Sequence, residues 1–331
     1  MKLKIVEVSG PDSSIQYPIF KDGGRERVIE WISKELGKSQ KVTVIAQSGS
    51  QIANCEILGV PHTTGLEPTE FFDTFRNNYD VLECDILHIH HPKYLLFSEY
   101  IKAKKIVLTH HGLYKEMEYY KHNYTFTETY VSHYLRSIMD IDSSGFTIHN
   151  PIPTNEYPLL NNDKEFDLLF IGDCNKKVKR LDIAISVAEI ANIKLLVAGK
   201  AENDLIRQLD TLSFVTYIGE VNQTTKLDLM SKSKAVICPN DAPEAFCLVA
   251  AESNAIGTPV LSSNNGGLPE VIEHGFGGFI CNTLEDYTHY FGQLNTLSSD
   301  NIRKVVLSKF DISLISQNYL NLFHNLLVEV K

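Results

Sequence analysis

Short apolar, β-branched runs recur along the whole chain, and longer stretches with helical spacing lie between them. This alternation is typical of the strand–helix units that build a parallel sheet. Strands are predicted in the first half at 3–8, 42–46, 85–90, 105–110 and 146–150. Strands are predicted in the second half at 166–172, 193–199, 215–219, 234–239 and 258–263. We therefore expect an α/β protein with two doubly wound sheets.

Two amphipathic stretches indicate helices near the ends of the chain. Residues 25–36 place four apolar side chains on one face, namely Val28, Ile29, Ile32 and Leu36. Residues 311–330 carry apolar side chains at i, i+3, i+4 and i+7 spacing, which produces a broad apolar face. The second of these helices must pack on another element.

The two halves are separated by a segment rich in proline and asparagine. Residues 150–165 contain three prolines and four asparagines, a composition that suits a linker. A chain of 331 residues is long enough for two domains of about 100–200 residues each. The predicted division gives a first domain at 1–155, a second at 156–310 and a terminal helix at 311–331.

Charge and composition narrow the class of protein. The formal net charge of −10 opposes the phosphate contacts on which a nucleic-acid-binding protein relies. No apolar run reaches the roughly 20 residues of a membrane-spanning helix, and the N-terminal residues lack the pattern of a signal peptide. The six cysteines form no CxxC pair, which indicates buried thiols in a reducing compartment. We expect a cytoplasmic protein that binds no nucleic acid.

A pair of glycines, Gly23 and Gly24, directly precedes the first predicted helix. Because they carry no side chain, their backbone N–H groups can approach an anion at the positive end of that helix. The alternative is a tight turn without a ligand.

The segment 239–252 carries an informative pair of carboxylates. Glu244 lies in a polar loop after a predicted strand, and Glu252 lies inside the following helix. An interval of eight helical residues spans about 12 Å, whereas the two carboxyl groups of a glycosidase lie about 5–9.5 Å apart. The pair therefore suits the two ends of an elongated ligand such as a nucleotide-sugar. The start of the helix would offer backbone N–H groups to a diphosphate at Phe246, Cys247, Leu248 and Val249.

These residues resemble the signature of the retaining GT-B glycosyltransferases of the glycogen-synthase-like family four, the glycosyl transferases group 1. The signature of the second domain is matched at Glu244, Phe246, Leu248, Val249, Glu252, 257–260, 266–267 and Glu270. Further motifs of the family are matched at 23–27, 110–112, 150–151 and 179–182. The matches extend over most of the chain.

The resemblance implies a GT-B fold, in which two Rossmann-like domains face a central cleft and the terminal helix crosses back to the first domain. The first domain would bind the acceptor and the second the nucleotide-sugar. The implied catalytic residues are Lys179 for the diphosphate leaving group, Glu244 for the sugar hydroxyls and His111 for the sugar site. Leaving-group stabilisation would supply the rate without a protein nucleophile.

The resemblance also implies a set of donor-binding residues, in which Glu252 would bind the ribose. The set is Gly23, Gly24, Lys179, Arg180, Glu244, Phe246, Cys247, Leu248, Val249 and Glu252. Two positions depart from the family pattern, because Asp173 stands where the family has arginine and Cys247 where it has glycine. A carboxylate at 173 would repel phosphate, and we hypothesise that Lys177 or Arg180 compensates.

Two other groups of residues allow alternative interpretations. Five histidines cluster at two predicted strand ends, at His88, His90, His91, His110 and His111. Imidazoles suit zinc or iron, but no carboxylate or cysteine spacing supports a metal site, and none is expected. Residues 92–105 mix aromatic side chains with four lysines, which favours a helix between two strands over a membrane-surface segment.

The expected function is a metal-independent, retaining transfer of a sugar from a nucleoside-diphosphate donor to a glycan, a lipid-linked or a small-molecule acceptor. The protein is placed in the cytoplasm, with peripheral contact at the inner membrane face as an option for a lipid-linked acceptor. One alternative is a sugar-nucleotide epimerase or hydrolase on the same fold. Another is a non-catalytic subunit that binds nucleotide-sugars, which Asp173 motivates. A Rossmann oxidoreductase is disfavoured because no GxGxxG motif follows a strand.

Overall fold

The structure of the protein is a computed structural model that describes residues 2–9, 23–60, 82–114, 117–140, 144–160 and 162–328. The chain divides into two compact units. The first unit comprises Met1–Pro151 together with Ile312–Lys331, and the second comprises Ile152–Asp311. The division after Pro151 lies inside the proline-rich segment, slightly before the predicted boundary at 155.

A parallel sheet forms the centre of the first unit. Its described strands are β1 (Lys4–Val8), β2 (Lys41–Gln47), β3 (Glu56–Val60), β4 (Leu82–Ile89), β5 (Ile101–His110), β6 (Thr127–Tyr130) and β7 (Phe146–Thr147). They pair in the order β3-β2-β1-β4-β5-β6-β7, and each pairing is parallel. Because the chain builds outward from β1 on one side and from β4 on the other, a topological switch point lies between these two strands.

Helices pack on the sheet of the first unit. They are α1 (Gly24–Leu36), a 3₁₀ helix (Pro92–Glu99), α2 (Met117–Asn123), α3 (His133–Met139) and the terminal helix (Ile312–Val328). The apolar face predicted for α1 is buried. The terminal helix buries Ile315, Tyr319 and Phe323 and packs against α1 and β5. Its place in the first unit agrees with the expected crossing back.

The segment 92–105 differs from its prediction. It forms the 3₁₀ helix and then the first half of β5, because Ile101 pairs with Leu82 of β4 and starts an alternation of buried and exposed side chains. The prediction of a helix up to residue 105 is therefore wrong. The exposed Lys102 and Lys104 pair with acidic side chains of β4.

The second unit, like the first, is built on a parallel sheet. Its strands are β8 (Phe166–Ile171), β9 (Leu195–Ala198), β10 (Val215–Tyr217), β11 (Ser233–Cys238), β12 (Val260–Ser263) and β13 (Gly278–Cys281). They pair in parallel in the order β10-β9-β8-β11-β12-β13, which puts a switch point between β8 and β11. Buried side chains such as Phe170, Val197 and Ile237 fill its core.

The helices of the second unit follow its strands on both faces of the sheet. They are α4 (Leu181–Ala191), α5 (Asn203–Asp210), α6 (Gln223–Lys232), α7 (Leu248–Ala255), α8 (Leu268–Val271), α9 (Leu284–Phe291) and α10 (Ser299–Lys309), with 3₁₀ turns at Lys177–Lys179 and Leu294–Thr296. Among the described residues of the whole chain, no helix combines the length and apolar character that crossing a membrane requires.

Candidate active site

The loops that follow β8 and β11 meet at the switch point of the second unit. The backbone N–H of Asp241 donates to the carbonyl oxygen of Val178 at 2.8 Å. The Lys179 ammonium forms an ion pair with the Glu244 carboxylate, and Arg180 Nη1 lies 3.4 Å from an Asp241 carboxylate oxygen. Three contacts therefore hold the two loops together at the place where an open parallel sheet binds ligands.

Lys179 and Glu244 are half-buried and charged. Their side chains are 29% and 24% exposed, so both remain within reach of a ligand. Burial acts to lower the pKa of the Lys179 ammonium, but the Glu244 carboxylate outweighs it and leaves that pKa above its ordinary value. Asn240 Nδ2 also donates to Glu244 Oε1 at 2.9 Å. The structure thus brings together two residues that the sequence analysis assigned to the leaving group and the sugar.

A glycine pair holds the backbone of Glu244. The N–H of Gly267 donates to the Glu244 carbonyl oxygen at 2.7 Å. Gly266 has a φ of 63°, and a Cβ there would lie 2.4 Å from the Glu244 carbonyl oxygen and 2.5 Å from its nitrogen. The loop can therefore support Glu244 only with glycine at 266.

The start of α7 lies directly after the loop that carries Glu244. Phe246 is buried and packs edge-on against Phe310, with ring centroids 5.2 Å apart. Cys247 adopts a left-handed conformation with φ 74°, which explains why glycine is usual at this position, and no side chain in the described part of the sequence caps the helix. The N–H groups of Leu248 and Val249 belong to the first turn, where no intrahelical acceptor exists. This end of α7 can therefore accept an anion.

The thiol of Cys238, at the end of β11, interacts with that of Cys247. This hydrogen bond and burial raise the pKa of Cys238 well above its usual range. All six cysteines of the chain are free thiols.

Glu252 is more deeply buried than its expected role requires. The residue is 1% exposed, Lys226 Nζ lies 2.6 Å from Oε2, and the Tyr157 hydroxyl donates to Oε1 at 2.8 Å. Gln223 Nε2 approaches Oε1 at 3.4 Å. A ribose hydroxyl would have to replace one of these bonds. Lys226 and Tyr157 were missed in the sequence because a lysine in a mostly polar helix and a tyrosine in a linker carry no signal of burial against Glu252.

Asp173 and Arg180 are engaged in local contacts. Asp173 Oδ1 accepts from the backbone and the side chain of Asn175, at 3.1 and 3.2 Å, so this carboxylate shapes its own loop. Arg180 binds both oxygens of Asp182, at 2.9 and 2.8 Å. Arg180 also lines a groove with Asn240, Asp241 and Asn264. Compensation for Asp173 by Arg180 or Lys177 stays a prediction.

In the first unit, α1 begins at the glycine pair. Gly23 has a φ of 144°, and no side chain of the described residues caps the helix. Arg25, in the first turn, pairs with Glu26 at 2.6 Å. The positive charge of Arg25 contributes to lowering the pKa of His111, after burial and His90. The start of α1 and His111 therefore lie in the same electrostatic environment.

A cluster of Glu7, His88, His90 and His111, of which His111 alone is partly exposed, occupies the switch point of the first unit. Glu7 Oε2 lies 2.9 Å from His90 Nε2 and 3.0 Å from His88 Nδ1. His90 Nδ1 lies 3.0 Å from His111 Nε2, and His88 Nε2 lies 2.7 Å from Thr109 Oγ1. Glu7 and His88 are 0% exposed. The sequence singled out the histidines but not Glu7, which looks like an ordinary strand residue.

Glu7, His88 and His90 are residue types that can bind a metal ion. Each offers one ligand atom, and these atoms lie within 4.8 Å of one another. Two imidazoles and a carboxylate would suit zinc or iron. Their separations are those of hydrogen bonds, so the protein groups satisfy one another.

Solved structures with the same fold cover nearly the whole chain. AviGT4, a glycosyltransferase involved in avilamycin A biosynthesis, is similar with a TM-score of 0.76 at 21% identity, covering 98% of each chain. HepE of Anabaena, solved in complex with UDP-glucose, has a TM-score of 0.72 at 16% identity, covering 98% of this chain and 100% of that chain. At these identities the likeness shows the fold alone. The GT-B fold expected from the sequence is confirmed.

Comparisons with known sequences match part of the chain. The family profile of glycosyl transferases group 1 matches residues 152–309. Spore coat protein SA of Bacillus subtilis is 32% identical over 113 residues, which are 33% of this chain and 30% of that protein. An uncharacterized glycosyltransferase of Methanocaldococcus jannaschii is 36% identical over 124 residues, 35% of this chain and 32% of that protein. The chain thus spans about a third of the length of these curated relatives. The second unit is therefore similar to the glycosyl transferases group 1 family.

Proposed function

We propose that the protein transfers a sugar, with retention at the anomeric carbon, from a nucleoside-diphosphate-sugar to a glycan, a lipid-linked or a small-molecule acceptor. The observation that carries this proposal is the pairing of Lys179 with Glu244 beside the uncapped start of α7. A cation and free N–H groups suit a diphosphate, whereas a carboxylate suits sugar hydroxyls. The family of the second unit and the complex of HepE with UDP-glucose support this choice of donor.

The chemical step follows from where charge develops. The bond between the anomeric carbon and the diphosphate oxygen breaks, and the diphosphate gains negative charge. Lys179 and the N–H groups of Leu248 and Val249 stabilise that charge in place of a metal ion. The acceptor oxygen attacks the same face of the sugar, and its proton passes to the departing phosphate oxygen, so no protein nucleophile takes part.

The remaining contacts set the donor in place. Glu244 accepts hydrogen bonds from the sugar, and Glu252 accepts them from the ribose after exchanging its bond with Tyr157. Gly23, Gly24 and His111 of the first unit complete the donor contacts, and that unit binds the acceptor. Local positive charge thereby binds a polyanion although the net charge of the chain is −10. We place the reaction in the cytoplasm, where free thiols persist, with peripheral membrane contact for a lipid-linked acceptor.

Binding and turnover with a panel of nucleotide-sugars, starting from UDP-glucose, test the proposal. We expect one donor to raise the melting temperature and to release nucleoside diphosphate only with an acceptor, equally with and without EDTA. NMR of the product would show the donor's anomeric configuration. Stabilisation by no donor contradicts the proposal.

The alternatives give different results in the same assay. Release without acceptor indicates a hydrolase, and a changed sugar on intact nucleotide indicates an epimerase. Binding without turnover for any acceptor indicates a non-catalytic subunit. Asp173, which motivated this last alternative, accepts hydrogen bonds from Asn175 in its own loop.

A further inference from the structure

A chain of hydrogen bonds connects a buried carboxylate to a predicted ligand-contacting histidine in the first unit. Glu7 of β1 contacts His90, which follows β4, and His90 contacts His111, which follows β5. Glu7 and His90 are 0% and 1% exposed, so water cannot supply alternative partners. The protein groups themselves therefore determine which atoms carry the protons in these hydrogen bonds.

The direction of the first bond follows from the charge of Glu7. Burial acts to raise the pKa of Glu7, but His88 and His90 hold that pKa at about 2. An ionised carboxylate only accepts hydrogen bonds, so both imidazoles must donate to it. His90 therefore carries a proton on Nε2.

The direction of the second bond follows from the charge of His90. Burial and the neighbouring His88 lower the pKa of His90 to about 4, so its ring is neutral near pH 7. A neutral imidazole has a single N–H, which His90 uses on Glu7. Its Nδ1 can only accept, and the donor 3.0 Å away must be the Nε2–H of His111.

The last step concerns the nitrogen of His111 that points away from this bond. Burial, His90 and Arg25 lower the pKa of His111 well below its usual range, so this ring is neutral as well. With its one proton on Nε2, His111 has a lone pair on Nδ1. Such an atom accepts a hydrogen bond from a hydroxyl and repels a phosphate oxygen.

We infer that Glu7 and His90 are positioning residues that hold His111 in the Nε2–H tautomer, so that Nδ1 accepts a hydrogen bond from a hydroxyl of the transferred sugar. This inference rests on the proposed function. It distinguishes His111 from Lys179, because the lysine recognises the phosphate and the histidine recognises the sugar. It also assigns a purpose to a carboxylate buried among imidazoles.

The first test measures the tautomer in the unmodified full chain. Uniform ¹⁵N labelling, with deuteration, allows the scalar coupling across the N–H···N bond to be recorded. We expect a coupling from the Nε2 proton of His111 to Nδ1 of His90, assigned by its loss in His111→Asn. A proton on Nδ1 of His90 instead would overturn the inference.

The second test uses Glu7→Gln. Its amide can donate where the carboxylate could only accept, so the direction of the hydrogen bonds between Glu7, His90 and His111 can reverse. We expect His111 to become a mixture of tautomers, and kcat to fall about three- to tenfold, the value of one neutral hydrogen bond, with little change in donor KM. Glu128→Gln is the matched control, because Glu128 contacts His110 at 3.0 Å at the same end of the sheet. The control should leave the His111 tautomer unchanged.

The outcomes separate the tautomer from the proposed function. An unchanged tautomer in folded Glu7→Gln would overturn the inference, and if that variant fails to fold, the coupling in the unmodified chain still decides. The predicted coupling in a protein that transfers no sugar would support the positioning role and overturn the proposed function.

Discussion

The two units share one strand order but place opposite chemistry at their switch points. Between β1 and β4, the first unit holds a cluster of Glu7 and histidines. Between β8 and β11, the second holds the half-exposed pair of Lys179 and Glu244 beside an uncapped helix. The topology of the sheet determines where side chains gather, whereas burial and residue type determine whether those side chains bind charged groups or hydroxyl groups of a ligand.

Each unit also contains a fully buried carboxylate, and the partners differ. Glu7 is compensated by the imidazoles of His88 and His90, and Glu252 by the ammonium of Lys226. An imidazole partner can lose or gain a proton at moderate pH, but an ammonium partner cannot. The first unit is therefore the one that should respond to acid, and the second the one that should respond to removal of a charge.

The largest expected effect comes from breaking the buried pair of the second unit. Lys226→Met leaves Glu252 buried without its cation, and we expect the free energy of unfolding to fall by about 3–5 kcal/mol in urea titrations. Lys309→Met is the control, because Lys309 and Glu273 are each 43% exposed and should contribute less than about 1 kcal/mol. Equal losses in the two variants would contradict the assignment of a buried pair. Adding Glu252→Gln to Lys226→Met should restore much of the stability.

Removing the cation of the second switch point should affect turnover rather than stability. Lys179→Ala is expected to lower kcat about 10²–10³-fold, as for the loss of one group that stabilises developing charge. Lys234→Ala is the control, because Lys234 also pairs with a carboxylate, that of Asp167, but at the opposite end of β11, and its kcat should stay within about threefold. A similar fall in both variants would show that general positive charge, not the pair with Glu244, matters.

Acid should destabilise the first unit before the second. Burial lowers the pKa of His90 and His91 to about 4, below the ordinary 6.5 that the unfolded chain retains. Between these values the unfolded chain binds more protons, so stability falls as pH drops from about 6.5 to about 4, by roughly 3 kcal/mol for His90 alone. Glu7, with its pKa held at about 2, adds a further loss below pH 4.5.

Hydrogen exchange followed by mass spectrometry can resolve this difference between the units. At pH 5, amides of β4 and β5 should lose protection relative to pH 7, after correction for intrinsic rates, while those of β8 and β11 keep theirs. The described histidines of the second unit, His274 and His289, are exposed and provide the contrast. Loss of protection first in β8 and β11 would contradict the prediction.

The smallest expected effect concerns the support of Glu244 by the glycine loop. Gly266→Ala should displace the Glu244 backbone and lower kcat/KM about tenfold, roughly the loss of one hydrogen bond to the sugar. Gly275→Ala is the matched control, because Gly275 also has a positive φ, of 80°, but a Cβ there meets no atom within 4 Å. Gly266→Ala should lose more stability than Gly275→Ala because only its Cβ collides with backbone atoms, and only Gly266→Ala should lose activity. Equal activity would show that Glu244 tolerates the shift.

Much of the fold could be predicted because buried parallel strands appear as apolar runs. The strands that were missed lack this signal. β6 reads Thr-Glu-Thr-Tyr, and its place in the sheet follows only from pairing with β5. β3 and β13 each contain glycine, which weakens a strand pattern. Strand order and the two switch points emerged only from the pairing.

The candidate site, like the fold, could be predicted from the sequence only in part. Glu244, Glu252 and Lys179 could be named because they lie within short motifs. Glu7 and His88 are 81 residues apart, and Lys226 and Glu252 are 26 apart, so their contacts depend on tertiary structure. Burial also changed the expectation for Glu252, since a sequence does not show that both of its oxygens are occupied.

The terminal helix has a consequence for the order of events during synthesis. Tyr319 from this helix contacts Thr109 at 3.2 Å, and Thr109 contacts His88, so the last segment completes the polar network around Glu7. The second unit is contiguous and can close before these residues leave the ribosome. Most of the first unit precedes the second in the sequence, but the first unit is completed only by residues that follow the second. A nascent chain stopped before residue 312 would therefore carry a finished second unit and an incomplete first one.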